Sequence, residues 1–165
     1  MNRDPIKLED LLGYHFSDQT LLSRALTHSS AVNERSTLFR TNNQQLEFLG
    51  DSVLGFLISD YLYQNFCELT EGQLSKMRAH LVSSANFFKL ATQLQLGEFL
   101  LLGKGEEKTG GRRKRALLAD AFEAVVAAIY LDGGVDAARR FVTRFFSQDF
   151  QAIEAGRFSH GDEST

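Results

Sequence analysis

Cysteine is nearly absent from this 165-residue chain: the single Cys67 can neither close an internal disulfide nor build a thiolate zinc site. A secreted disulfide scaffold and a zinc finger are thereby excluded, and a reducing compartment is the expected setting. Proline is almost as scarce, with one residue against 13 glycines, and hydrophobic residues make up 43% of the chain. The chain is therefore not collagenous, low-complexity or disordered. Long apolar runs are missing too. The longest nearly charge-free stretches, Val53 to Ser59 and Ala124 to Leu131, fall well short of the roughly 20 residues of a membrane span. The opening MNRDPIKLEDLLG lacks the apolar segment and small-residue cleavage site of a secretory signal. These absences point to a soluble, cytoplasmic, single-domain protein with a core that needs no metal or disulfide support. A net charge of −3 argues mildly against a nucleic-acid coat protein and leaves local patches to decide more.

Strict alternation of apolar and polar residues is also hard to find, whereas helical spacing recurs almost throughout, so the expected fold is all-α. Asp4 before Pro5 caps a first helix ending near Gly13, and Ser17 with Asp18 opens a second. The polar stretch Asn33 to Asn43 reads as a loop. Asn42 or Asn43 then caps a long helix to about Tyr63, and Thr70 with Gln73 forms a capping box for the next, which breaks near Ser83 and Ser84. A helix over about Ala85 to Leu96 follows, then a Gly-rich basic loop from Gly103 to Arg115. A very apolar helix stops at Gly133 and Gly134, and a last one runs from Asp136 to about Ile153. Residues 154–165 are polar and expected to be poorly ordered. No internal repeat is present.

In QLEFLGDSVLGFLISDYLY, apolar residues fall nearly all round a wheel of about 100° per residue, the pattern of a helix buried in the middle of a domain. Yet Glu47 and Asp51, four apart, share one stripe with Leu54, Ile58 and Leu62. ALLADAFEAVVAAIYL repeats the situation, because its only charged residues are Asp120 and Glu123, three apart. Ala116, Ala124 and Ala127 flank them, small enough for another helix to approach closely. Burying a lone carboxylate is costly and like charges on one face repel, yet neither helix carries Lys or Arg. Protonation or a divalent metal remains, and an oxygen-only donor set suits Mg²⁺ or Mn²⁺ rather than zinc. The plainer alternative places these acids at helix ends in water, as most acids are. Four of them, in two spaced pairs on apolar helices, weigh against it.

Other chemistries lack their residues. No Glu-x-x-His occurs, as a carboxylate-bridged redox centre would need. His15, His28, His80 and His160 are scattered, and Ser52 beside Asp51 has no histidine partner in sequence. His28, in ALTHSS, reads as a structural helix-end histidine. The loop GKGEEKTGGRRKR carries Lys104, Lys108, Arg112, Arg113, Lys114 and Arg115 against Glu106 and Glu107, a local balance of +4, and leads straight into the second acidic helix. Beside a carboxylate and metal site this suits phosphate recognition, although a basic loop alone is often merely solvated. Lys76 and Arg78 add a second, modest patch.

NNQQLEFLGDSVLGFL closely resembles the signature of the ribonuclease III family. LGKGEEKTGGRRKRALLADAFEAVVAAIYLDGG resembles that family's second conserved block and ALTHSS its first, so the resemblance runs from about Leu8 to Phe146. It implies a ribonuclease III endonuclease-domain-like helical fold over residues 1–153, forming a homodimer that holds double-stranded RNA between its subunits. It also implies Mg²⁺-dependent cleavage of each strand, with Mn²⁺ as a substitute, that leaves 5′-phosphates, 3′-hydroxyls and short 3′ overhangs during RNA processing. Position by position, Glu47, Asp51, Asp120 and Glu123 match the family's catalytic metal-site acids, the same four that periodicity singles out. Glu71 matches a further acid near the cleavage site, though it also suits a helix first turn. Phe48 matches the aromatic that plugs the partner subunit, though it also suits a core. Lys76, Arg78, Lys104, Lys108, Arg112 and Arg113 are the expected RNA contacts. Two departures stand out: Gln44 replaces the usual Glu, and the chain ends without the separate double-stranded-RNA-binding domain common in the family. The rival reading is a non-cleaving RNA-binding or ribosome-associated protein of the same fold.

Overall fold

A computed structural model of the chain describes residues 4–34 and 42–161. Over these residues the structure is helical, and an isolated parallel bridge between Thr27 and Leu101 is the nearest thing to a sheet. Local sequence explains most helix starts. Helix α1, Pro5–Leu12, begins where the Asp4 carboxylate accepts the Ile6 amide and proline fills the first position; α2, Gln19–Ala25, begins where Asp18 accepts from Thr20. Helix α3 covers Ser29–Glu34, where the polar pattern predicts a loop only from Asn33; residues 35–41 of that segment lie outside the described residues. Helix α4, Gln44–Asn65, follows Asn43, whose amide side chain donates to Ala25 O instead of capping, while Asn42 Oδ1 accepts from the Gln44 amide. Helix α5, Glu71–Leu81, has the expected capping box, with Thr70 and Gln73 bonded reciprocally at 3.2 and 2.9 Å. Ser83 then caps α6, Ser84–Gln93.

In the C-terminal half two expectations are corrected and one holds. The basic segment after Gly103 is not an open loop: it contains a short helix α7, Lys104–Lys108, and a 3-10 turn, Gly111–Arg113. Glu106 and Glu107 in the first turn of α7 and Lys108 in its last have the charge order a helix dipole favours. The helical span α8, Arg115–Phe145, is broken where the sequence predicts, at the Gly133–Gly134 pair: Gly134 leaves helical geometry with φ 85° and ψ 179°, a conformation open to glycine, and two helical stretches meet across that kink. The break expected beyond residue 153 comes earlier, at Phe146, and α9, Ser147–Gly161, continues helically through part of the predicted tail. Residues 162–165 lie outside the described residues.

Helix α8 is the central element. Every residue from Ala121 to Ile129 is buried, so this stretch is surrounded by α4, α6 and α2. Helix α4 is not buried all round, contrary to its apolar wheel. It buries one face, through Leu46, Leu54, Ile58 and Leu62, while Phe48, Phe56 and Tyr63 stay 78%, 57% and 70% exposed. Two large apolar helices share a core here, and only the inner one finds neighbours on every side. Tyr61 stacks on Phe150 at 3.8 Å, and Asp149 accepts from Lys89 and Asn86, which docks α9 onto α4 and α6. No described helix is long and apolar enough to cross a membrane.

Candidate metal centre

The α4–α8 contact brings the two acidic pairs together. Glu47 lies in the first turn of α4 and Asp51 one turn further on; Asp120 and Glu123 face them from the first third of α8. One carboxylate oxygen from each of Glu47, Asp120 and Glu123 lies within 4.8 Å of the others. Asp51, more exposed, meets Glu123 from the solvent side. The approach is possible because Gly50, between the two acids of α4, has no side chain to hold the helices apart.

Electrostatics follow from that crowding. Burial, then the charges of Asp51 and Glu47, push the Glu123 carboxyl up to about 8. Burial and the neighbouring Asp120 push Glu47 up to about 7, and Asp120 is itself raised by burial, partly offset by its hydrogen bond with Glu47 and by nearby His28. Among the described residues no Lys or Arg pairs with any of the four. Carboxyls raised in this way hold protons that a divalent cation displaces, and the donor set is all oxygen. The residues therefore fit Mg²⁺ or Mn²⁺.

The other expected site residues are dispersed. Gln44 is exposed at the start of α4, one turn before Glu47. Glu71 is not in the four-acid cluster. It heads α5, accepts from Ser75 Oγ at 3.1 Å, and lines a cleft of about 270 Å³ with Tyr63 and Arg78. Arg78 donates to Ser59 Oγ at 3.1 Å, and Lys76 is exposed. Lys104, Lys108 and Arg113 are exposed on the basic segment. Arg112 is half-buried and already engaged within the chain: its guanidinium donates to Gly97 O at 3.0 Å, Leu100 O at 2.7 Å and Glu107 Oε1 at 2.7 Å. Lys114 pairs with Glu106 at 2.8 Å, so the segment neutralises part of its own charge. Phe48 stands in solvent, not in the core, on one α4 face with Phe56 and Tyr63. Phe56 and Tyr63 were not singled out from the sequence, although they lie eight and fifteen residues on from Phe48, on the same side of the helix.

Fold and site together define a helical domain that gathers four carboxylates between two core helices, a class suited to metal-assisted phosphate chemistry. A family model described as Ribonuclease-III-like matches residues 18–150. The chain belongs to that family. It is 55% identical to Ribonuclease 3 of Solibacter usitatus, a match that covers 86% of this chain and 54% of the relative. It is 51% identical to Ribonuclease 3 of Syntrophobacter fumaroxidans, over 84% of this chain and 57% of the relative. The chain thus spans a little over half the length of these relatives. Among solved structures, the nuclease domain of ribonuclease III from Campylobacter jejuni, described with a region involved in dimer formation, superimposes with a TM-score of 0.82. That match has 41% identity and covers 90% of this chain and 99% of the other. Dicer from Pichia stipitis is more distant, at TM-score 0.60 and 26% identity over 84% of this chain and 58% of its own.

Proposed function

We propose that this chain is an endoribonuclease that cleaves double-stranded RNA by Mg²⁺-dependent phosphodiester hydrolysis. The observation that carries the reading is the convergence of Glu47, Asp51, Asp120 and Glu123 from two helices with no cation among them. Glu47, Asp120 and Glu123 would hold the ion, and Asp51 completes the set from the solvent side. When bound, the ion supplies charge neutralisation at the phosphate and acidifies water at neutral pH. The chain's own part is to preorganise acceptors: Gly50 lets the two helix backbones meet, and burial keeps the carboxyls primed to exchange protons for the cation. Products carry 5′-phosphate and 3′-hydroxyl ends with short 3′ overhangs, and the setting is cytoplasmic RNA processing.

The exposed Phe48, Phe56 and Tyr63 face supports a homodimer in which RNA lies between two sites, with Phe48 entering the partner and Glu71 and Gln44 near the cleavage position. Lys104, Lys108, Arg113 and Lys76 contact the backbone, and Arg112 is withdrawn from that set. The rival reading as a non-cleaving RNA-binding protein is disfavoured by the presence of all four acids. Incubation of the purified chain with a long RNA duplex decides between them: short duplex products with Mg²⁺ and none with chelator support cleavage, and intact RNA in both overturns it.

A further inference from the structure

The connection between α2 and α3 brings a histidine to the rim of the acid cluster. Thr27 O accepts the Asn43 amide at 2.9 Å, and Asn43 O accepts the Glu47 amide at 2.8 Å, so residue 28 follows a carbonyl bonded to the start of α4. On the other side the His28 amide donates to Leu101 O at 3.0 Å, against the segment that runs into Gly103 and the basic residues. The imidazole is half-buried there.

Hydrogen bonds fix which nitrogen carries the proton. Nδ1 accepts the Ser30 amide at 3.1 Å and lies 2.8 Å from Ser30 Oγ. A nitrogen that accepts an amide N–H bears no hydrogen, so the ring hydrogen is on Nε2. Ser30 Oγ accepts the Gly103 amide at 2.9 Å and gives its own proton to Nδ1, which closes a latch between α3 and the basic segment. Nε2 has no hydrogen-bond partner among the described residues. It is not sealed in, since no buried side-chain nitrogen or oxygen among them lacks a partner.

We infer that His28 contacts the RNA backbone, its Nε2–H donating to a non-bridging phosphate oxygen of the strand that enters the acid cluster. The inference rests on the reading of this chain as a duplex-RNA nuclease. Once their protons are displaced the four carboxylates offer a phosphate acceptors only, so one fixed N–H on the rim, aimed by a latch that the ring's other nitrogen completes, supplies a donor that does not depend on carboxyl protonation. A purely structural histidine accounts for Nδ1 and gives Nε2 no role.

Two substitutions separate the nitrogens. His28→Asn keeps an acceptor near the Nδ1 position and so the latch, but removes the donor. His28→Gln offers an amide N–H near the Nε2 position and loses the latch. The full chain is assayed for duplex-RNA binding without divalent metal by fluorescence anisotropy, for cleavage with Mg²⁺, and for thermal melting. The expected His28→Asn variant melts like wild type, with Kd and KM raised roughly five- to tenfold, the size of one lost hydrogen bond, and kcat within about twofold, as for uniform binding. His28→Gln is expected to melt lower yet bind RNA close to wild type. A His28→Asn variant with wild-type Kd overturns the inference, as do losses that track melting in both variants. A wild-type chain that neither binds nor cuts the duplex overturns the reading beneath it as well.

Discussion

A Cβ on Gly50 would overlap the backbone carbonyl oxygen of Glu123. The α4 and α8 backbones therefore touch at the point that separates Glu47 from Asp51 on one side and carries Glu123 on the other. The acid cluster exists because this contact has no side chain in it. A glycine inside a helix ordinarily costs about 1 kcal/mol relative to alanine, and here it allows the close approach on which the site depends.

Gly50→Ala accordingly separates the helices. The gain in helix propensity is outweighed by overpacking, which costs about 1–3 kcal/mol when neighbours can yield and more against a backbone carbonyl. The expected result is a lower urea midpoint, and a fall in duplex cleavage larger than the loss of folded protein explains.

The metal-free protein should lose stability as pH rises. Glu47 and Glu123 are held up to about 7 and about 8, above the ordinary carboxylate value, so the folded chain keeps protons that the unfolded chain has released. Their stabilising contribution is complete below about pH 4.5 and is lost as pH climbs through about 7 to 8. Melting followed from about pH 5 to pH 8.5 checks this: Tm falls across the range, Glu123→Gln flattens the fall, and Mg²⁺ raises Tm more at the alkaline end. An unchanged Tm would show that the acids are not held above their ordinary range.

Asp51→Asn and Glu123→Gln should each reduce duplex cleavage at least about a hundredfold, more than loss of an outer-shell partner of a metal does. Folding survives, because Asp51→Asn removes like charge from a crowded site and Glu123→Gln replaces a carboxyl that the folded, metal-free chain already keeps protonated near neutral pH. Single-turnover rates with Mg²⁺, alongside melting curves, test both halves of the statement; near wild-type cutting by either variant would remove that residue from the metal site.

Light scattering at high micromolar concentration should report a dimer. Phe48 at 78% exposure, with Phe56 and Tyr63 on the same face, is an apolar surface that a second copy would cover. Phe48→Asp should shift the population to monomer while circular dichroism stays helical. A wild-type monomer would refute the two-strand geometry.

Salt should weaken RNA binding with a slope near −0.9 per phosphate contact on the B-DNA calibration. Within the basic segment the cations divide by role. Lys108→Ala with Arg113→Ala flattens the slope and leaves Tm unchanged, because both side chains are exposed. Arg112→Ala instead lowers stability by roughly 1–3 kcal/mol, since it strips donors from two carbonyls and Glu107. The comparison needs only anisotropy across a salt series and one melting curve per variant.

Much of the fold and the four acids were legible in the sequence. The Thr70 and Gln73 capping box, the Asp4 and Asp18 caps and the helical apolar spacing are short-range effects, encoded within a few residues of where they act. Glu47 with Asp51, and Asp120 with Glu123, stand out for the same reason: charge on an apolar stripe is visible along a single helix. Tertiary structure decided which apolar surfaces are covered. Helices α4 and α8 have similarly apolar wheels, yet only α8 has neighbours on all sides, so Phe48, Phe56 and Tyr63 remain exposed. It also decided what each polar group does. Arg112 and Arg113 are adjacent in a basic run, but one finds carbonyls at Gly97 and Leu100 while the other faces water. Likewise Ser30 closes on Gly103 across 73 residues of chain, and that contact orients His28. Local sequence sets backbone conformation and charge pattern; burial, hydrogen-bond partners and carboxyl proton affinity are properties of what is brought near, and that is set only when the chain packs.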